Sequence, residues 1–225
     1  MVDAVMRRGR RRAREQMASA AQSSAALAYA AMGWPVCAGV HPLRGAPGAP
    51  ETGRACSCDR VGCPAPGAHP LSPAWQIQAT VDTAVIRRWW LAKPEANVIL
   101  VTGRVFDVLD VPAAAGTAAL GRMERCGVAT GPVAVSAGDR MMFFVATRLA
   151  ADEEEWWSCH LDCEPESVTQ AGGLRWHCRN SYVLAPPSRH GTGLAAYWIR
   201  EPGDHPLPDV LRPLEYLVDA CEETA

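Results

Sequence analysis

Cys56, Cys58, Cys63 and His69 fall in the pattern CxCx4Cx5H, inside a turn-rich stretch that also holds Gly62, Pro64, Pro66 and Gly67. Three thiolates and one imidazole satisfy a tetrahedral zinc ion and leave no open position, which marks a structural site rather than a catalytic one. The surrounding loop, 37–73, is rich in Gly, Pro, Cys and His and has almost no periodicity, so it could not hold itself together unaided. Zinc would supply on the order of 10 kcal/mol toward ordering it at neutral pH. Unconnected reduced cysteines are the plain alternative, and Cys37 or His41, just upstream, could replace one ligand. A second group, Cys159, His160, Cys163, His177 and Cys178, could also bind a metal or could be ordinary buried thiols.

The elements that must position these residues belong to a chain of 225 residues, enough for one substantial domain or two small packed lobes. A hydrophobic share of 48% with 20% charged residues excludes a disordered chain, and no apolar run reaches the length of a membrane span. With a net charge of -2 the domain as a whole is not the basic body of a strong non-specific DNA binder, so any nucleic-acid contact must be local. Lys93 is the single lysine among 22 basic residues, a bias toward arginine that lowers the functional meaning of arginine counts. The nine cysteines are odd in number and unevenly spaced, which reads as metal spacing before disulfide spacing. The basic N-terminal run could pass for an export signal, but Gln16, Ser19, Gln22, Ser23 and Ser24 interrupt the apolar segment that export requires. A cytoplasmic location, where thiols stay reduced, is the expectation.

Residues 1–12 read as a solvated basic arm, followed by a small-residue helix over 12–32 that stops at Gly33-Trp34-Pro35. A helix capped near Thr80 or Asp82 carries Val85, Ile86, Trp89 and Trp90 on one face and ends at Pro94. Strands are predicted over 97–101 and 105–111, joined by a turn at Thr102-Gly103 into a compact β-turn-β unit. A helix over 114–126 follows, then a hairpin of 133–136 and 141–146 around Ala137-Gly138-Asp139. The acidic stretch 152–157 reads as helical, 182–185 and 197–199 as strands, and 207–221 as a closing helix bent near Pro213. No phosphate-cradling GxxxxGK[ST] loop and no internal repeat is encoded, which excludes an NTPase motor.

In order along the chain, Ala31-Met32-Gly33-Trp34-Pro35, the Cys-Ser-Cys knuckle ending in Ala68-His69-Pro70, the Trp89-Trp90 helix, the strand Phe106-Asp107-Val108-Leu109-Asp110-Val111 and Tyr182-Val183-Leu184-Ala185-Pro186-Pro187-Ser188 resemble the N-terminal domain of bifunctional DNA primase/polymerases, within the archaeo-eukaryotic primase superfamily. The resemblance covers 22–202. It implies an α+β primase/polymerase-like fold, with an RRM-like mixed or antiparallel sheet flanked by helices and a zinc-knuckle insertion at 37–73. Residues 1–21 would form a basic arm and helix start, and 203–225 a helical tail. The resemblance also implies two divalent metals, Mg2+ or Mn2+, nucleoside triphosphate substrates and a DNA template.

Family members place two acids one residue apart on a strand, a histidine in a following hairpin and a further acid on a later strand. A D-x-D pair on one strand face can hold two metal ions about 4 Å apart against the attacking and leaving oxygens. Here Asp110 matches the first acid, but Pro112 occupies the partner position and offers no ligand. Asp107 is three residues from Asp110, on the opposite face of a regular strand, and reads as a solvent-facing aspartate. Met141 stands at the histidine position, and Arg175 falls at the third acid, where a cation would repel metals. Ser136 and Arg140 remain as candidate phosphate contacts.

These departures make Asp110 a vestigial catalytic residue, and the expectation is a primase/polymerase-like protein, catalytically degenerate, that binds DNA, nucleotides or a replication protein. Relatives commonly continue into a helicase region that is not found here, which adds to the expectation. One alternative is an active metal-dependent primase/polymerase drawing its missing ligands from Asp139 and Asp107. Another is a zinc-stabilised interaction module with no nucleic-acid role. No membrane partner is expected.

Overall fold

The structure, a computed structural model, describes residues 2–43, 55–58, 60–136, 139–147 and 173–224, with side chains from residue 17 onward. The first helix, α1, runs over Val2–Ala31. Arginine and alanine are both strong helix formers, so the residues read as an arm continue the helix backward. Its stop is a Schellman motif. Gly33 turns left-handed (φ 79°), its N–H reaches Ala30 O at 2.9 Å, and the Trp34 N–H reaches Tyr29 O at 3.0 Å.

Strand β1, Val36–Gly39, follows at once, where sequence reading gave the start of a loop. Beyond the knuckle come a short helix α2 (Trp75–Gln78) and α3 (Thr83–Ala92). The Asp82 carboxylate caps α3, accepting from the N–H groups of Ala84 at 2.8 Å and Val85 at 3.3 Å. Strands β2 (Asn97–Val101) and β3 (Phe106–Pro112) precede α4 (Ala113–Arg125). The hairpin strands are β4 (Val133–Ser136) and β5 (Arg140–Ala146). Three short strands, β6 (Arg175–His177), β7 (Tyr182–Leu184) and β8 (Tyr197–Arg200), lead to α5 (Leu211–Thr224). Pro213 lies in the first turn of α5, where its missing N–H costs nothing, so the closing helix starts later than predicted and is not broken there. The expected acidic helix at 152–157 lies outside the described residues.

The strands form two antiparallel sheets, β1-β2-β7 and β6-β3-β5-β4-β8. This corrects the predicted β-turn-β unit. β2 and β3 do not pair, because β2 is buried along its whole length and finds partners on both edges in β1 and β7. The link at Gly103 instead carries the chain from one sheet to the other; a Cβ at this left-handed residue would lie 2.2 Å from Arg179 Cα. What results is a mixed α+β protein with antiparallel sheets flanked by helices.

Alternation along β3 divides the core. Leu109 and Val111 face α4 and α5 in one cluster with Met123, Met141, Phe143 and Leu217. Phe106 and Val108 face the other way, toward α1, α3 and the smaller sheet. There Trp34 stacks on Phe144 at 5.4 Å and meets Phe106 at 4.5 Å. The α3 expectation holds in outline: Ile86 and Trp90 are buried in this cluster, with Trp89 packed at its margin.

Candidate functional site

The knuckle residues are brought together. The ligand atoms of Cys56, Cys58, Cys63 and His69 all lie within 4.8 Å of one another, a set that could hold a metal ion. His69 Nε2 stands 3.5 Å from Cys63 Sγ and 3.7 Å from Cys56 Sγ. Its Nδ1 is 2.9 Å from Pro70 O, the backbone contact that fixes the ring and leaves Nε2 for a metal. The thiol of Cys58 is shifted down to about 6, chiefly by the backbone N–H of Arg60, so it is ready to ligate as thiolate. Burial pushes Cys63 up. Cys37 and His41 do not join. Cys37 lies buried in β1 with its thiol pushed up to about 12 by burial, and His41 pairs with Glu95 at 3.3 Å.

The loop is also held by the protein itself. Val40 N–H donates to His69 O at 3.0 Å and Leu71 N–H to Ala38 O at 2.9 Å, extending the edge of β1. Asn97, which sequence reading passed over, clips the knuckle to the Pro-Pro-Ser loop: its Nδ2 donates to Gly67 O and Arg189 O, both at 2.7 Å. Gly67 is left-handed, and a Cβ there would meet Arg189 O at 2.7 Å. Ser188 is equally buried, accepting from Val98 N–H at 2.8 Å and bonding Gln22 at 3.2 Å.

The second constellation lies on the larger sheet. Register places Asp110 opposite Arg175 on β6 and Met142 on β5, and Pro112 opposite Arg140, which in turn faces Ser136 on β4. Residues paired across strands share a face, so Asp110, Pro112, Ser136, Arg140, Arg175 and His177 all belong to one side. Arg140 Nε donates to Asp110 Oδ1 at 2.8 Å, and its Nη2 to Asp110 O at 2.8 Å and Gly173 O at 2.6 Å. His177 Nε2 stands 3.5 Å from the other carboxylate oxygen, Oδ2. The imidazole is itself held by a 3.0 Å contact of Nδ1 with Ser181 Oγ. Arg175 is exposed and forms no ion pair among the described residues.

Two expectations are corrected here. Met141 is not part of this face. It pairs with Val111, points to the opposite side and packs on Gly116 of α4, where a Cβ would come within 2.8 Å of its own Cβ. Arg140, one residue earlier, is the group that actually meets Asp110. Asp107, read as solvent-facing, is 3% exposed and accepts from Trp176 Nε1 at 3.1 Å, while its Oδ1 has no partner. Burial pushes its carboxyl up, against the opposing hydrogen bond of Trp176. Asp139 is exposed. Of the second candidate cysteine cluster, Cys159, His160 and Cys163 lie outside the described residues, His177 serves Asp110, and Cys178 is core. Among the described residues, no group besides the knuckle gathers three metal-ligating side chains.

No helix among the described residues is long and apolar enough to cross a membrane. No curated protein matches the chain. A family description, bifunctional DNA primase/polymerase, N-terminal, matches residues 26–215. That stretch runs from α1 through both sheets into α5 and takes in the knuckle and the Asp110 face alike, so the chain belongs to the bifunctional DNA primase/polymerase N-terminal domain family.

Proposed function

We propose that this chain is a primase/polymerase-like domain that has given up metal-dependent nucleotidyl transfer and retains binding of nucleotide or nucleic acid, or of a replication protein. The observation that carries the reading is the state of Asp110. Arg140 bonds one oxygen of its carboxylate and His177 faces the other. A pair of Mg2+ or Mn2+ ions needs several carboxylate oxygens free to ligate. Among the described residues this face offers Asp110 alone, flanked by Pro112 and the guanidinium of Arg175, so the residues present do not fit two divalent cations. Asp110 then acts as the internal partner of Arg140, a vestige of a ligand.

The knuckle, by contrast, fits a metal. Cys56, Cys58, Cys63 and His69 would hold zinc as a closed structural site, and the Gly67–Asn97–Arg189 clip would anchor that site to the sheet. Zinc here supplies cross-linking of the loop and no chemistry on a substrate.

Primer extension with manganese and labelled deoxynucleotides tests the reading. No extension above background is expected at any metal concentration. Extension that Asp110→Ala abolishes would overturn the reading and favour an active polymerase.

A further inference from the structure

We infer that the cavity between α2, α3 and β1 binds a small carboxylate that carries one aromatic ring. None of the residues lining it belongs to the larger sheet, so the site is separate from the Asp110 face. The cavity measures about 140 Å3. That is room for one six-membered ring, since an apolar cavity of about 150 Å3 accepts benzene. Trp75, Trp89 and Leu71 wall it, with Cys37 and Ala38 of β1 behind them. Burial pushes the Cys37 thiol up to about 12, so it carries no charge at neutral pH. Both tryptophans are half-buried, although Ile99, Val101 and Leu184, the cluster they pack against, are buried.

The polar part of the lining selects the charge of the ligand. Lys93 closes α3 at the cavity and has no ion pair among the described residues. No carboxylate lines the cavity, and Glu95, two residues on, pairs instead with His41 at 3.3 Å. Trp90, Trp176 and Trp198 each donate an indole N–H to a protein oxygen, but the indoles of Trp75 and Trp89 have no such acceptor among the described residues. An indole N–H that leaves water usually takes one. Ser72 also lines the cavity; its Oγ accepts from Ala74 N–H at 3.2 Å, which leaves the hydroxyl hydrogen to donate. An apolar slot edged by a cation and by donors, with no anion of its own, matches a ring that ends in a carboxylate.

Calorimetric titration of the full chain with phenylacetate tests the inference, beside phenylacetamide, which keeps the ring and loses the charge. Phenylacetate should bind with a Kd of about 1 mM or tighter, and phenylacetamide about threefold more weakly or worse. Lys93→Gln, at an exposed position, should bring the two ligands to equal affinity. Ala92→Phe, also exposed, sets a ring of the protein's own at the cavity and should abolish binding of both with the thermal midpoint unchanged. Excess dATP should not compete. No saturable binding up to about 20 mM phenylacetate, equal wild-type affinity for the two ligands, or binding untouched by Ala92→Phe would each overturn the inference. So would capture of a peptide ending in phenylalanine but of no free ring carboxylate, the mark of a peptide-docking site. None of these outcomes depends on whether the Asp110 face is active in primer extension.

Discussion

Asp107 and Asp110 share a strand and a chemistry, and three residues of spacing send them to opposite environments. Asp110 meets Arg140 and His177 as half of a nearly buried pair. Asp107 meets the core on the α4–α5 side, with one indole donor and one oxygen unpartnered. Its carboxyl is raised in the folded protein, so folding favours the protonated form. The contribution to stability is fully present below the unfolded value of about 3.9 and is lost as pH rises through the raised folded value. Asp107→Asn keeps an oxygen to accept from Trp176 and removes the group whose ionisation burial disfavours. We expect it to raise the thermal midpoint at pH 7 by about 3 °C, the response of a chain of this size to ~1 kcal/mol, and to flatten the fall in stability above pH 4. Thermal unfolding across pH 4 to 8 checks both, and a midpoint lowered at pH 7 would refute the assignment. Nothing in a strand pattern separated these two aspartates beyond which face each takes; what lay on each face came from β5, 30 residues away, and from β6, up to 69 residues away.

Among the elements, the knuckle was the most legible and the strand before it the least. Cysteine and histidine spacing is a local signal, since four ligands within fourteen residues can close on one ion whatever surrounds them. Cys58→Ala removes the thiol best suited to ligate. Metal bound to the purified protein should fall from about one ion per chain to essentially none, with proteolysis newly admitted within 55–73. Elemental analysis and limited digestion read the two effects; a metal-free wild type with a protected loop would count against the site. β1 was missed because its four residues, Val-Cys-Ala-Gly, show no alternation and stand at the head of a Gly/Pro-rich loop. The start of α5 was misplaced for a related reason. Proline marks a boundary in sequence without saying on which side the helix lies, and Pro213 marks a beginning.

At the scale of the molecule, one aromatic cluster joins α1 to the larger sheet. Trp34, Tyr29, Phe106, Phe144 and Trp198 are linked by a chain of ring contacts, and Tyr29 Oη donates to Pro186 O at 2.7 Å while accepting from Trp198 Nε1 at 2.9 Å. Trp34→Ala empties the centre of this cluster and should cost about 3–5 kcal/mol, a loss that chemical denaturation measures. A cost under about 1 kcal/mol would show that α1 is held to the larger sheet elsewhere.

The sequence by itself determined the knuckle spacing, the hairpin of β4 and β5, and the helices α3 and α4. Those signals depend on residue type and short spacing. Only the tertiary structure decided that consecutive strands part into different sheets, that Met141 faces away from the site, and that Arg140 and His177 close on Asp110. Each of those outcomes turns on which strand lies beside which, and strand pairing is settled by burial and hydrogen bonding between segments tens of residues apart, where no local pattern reaches.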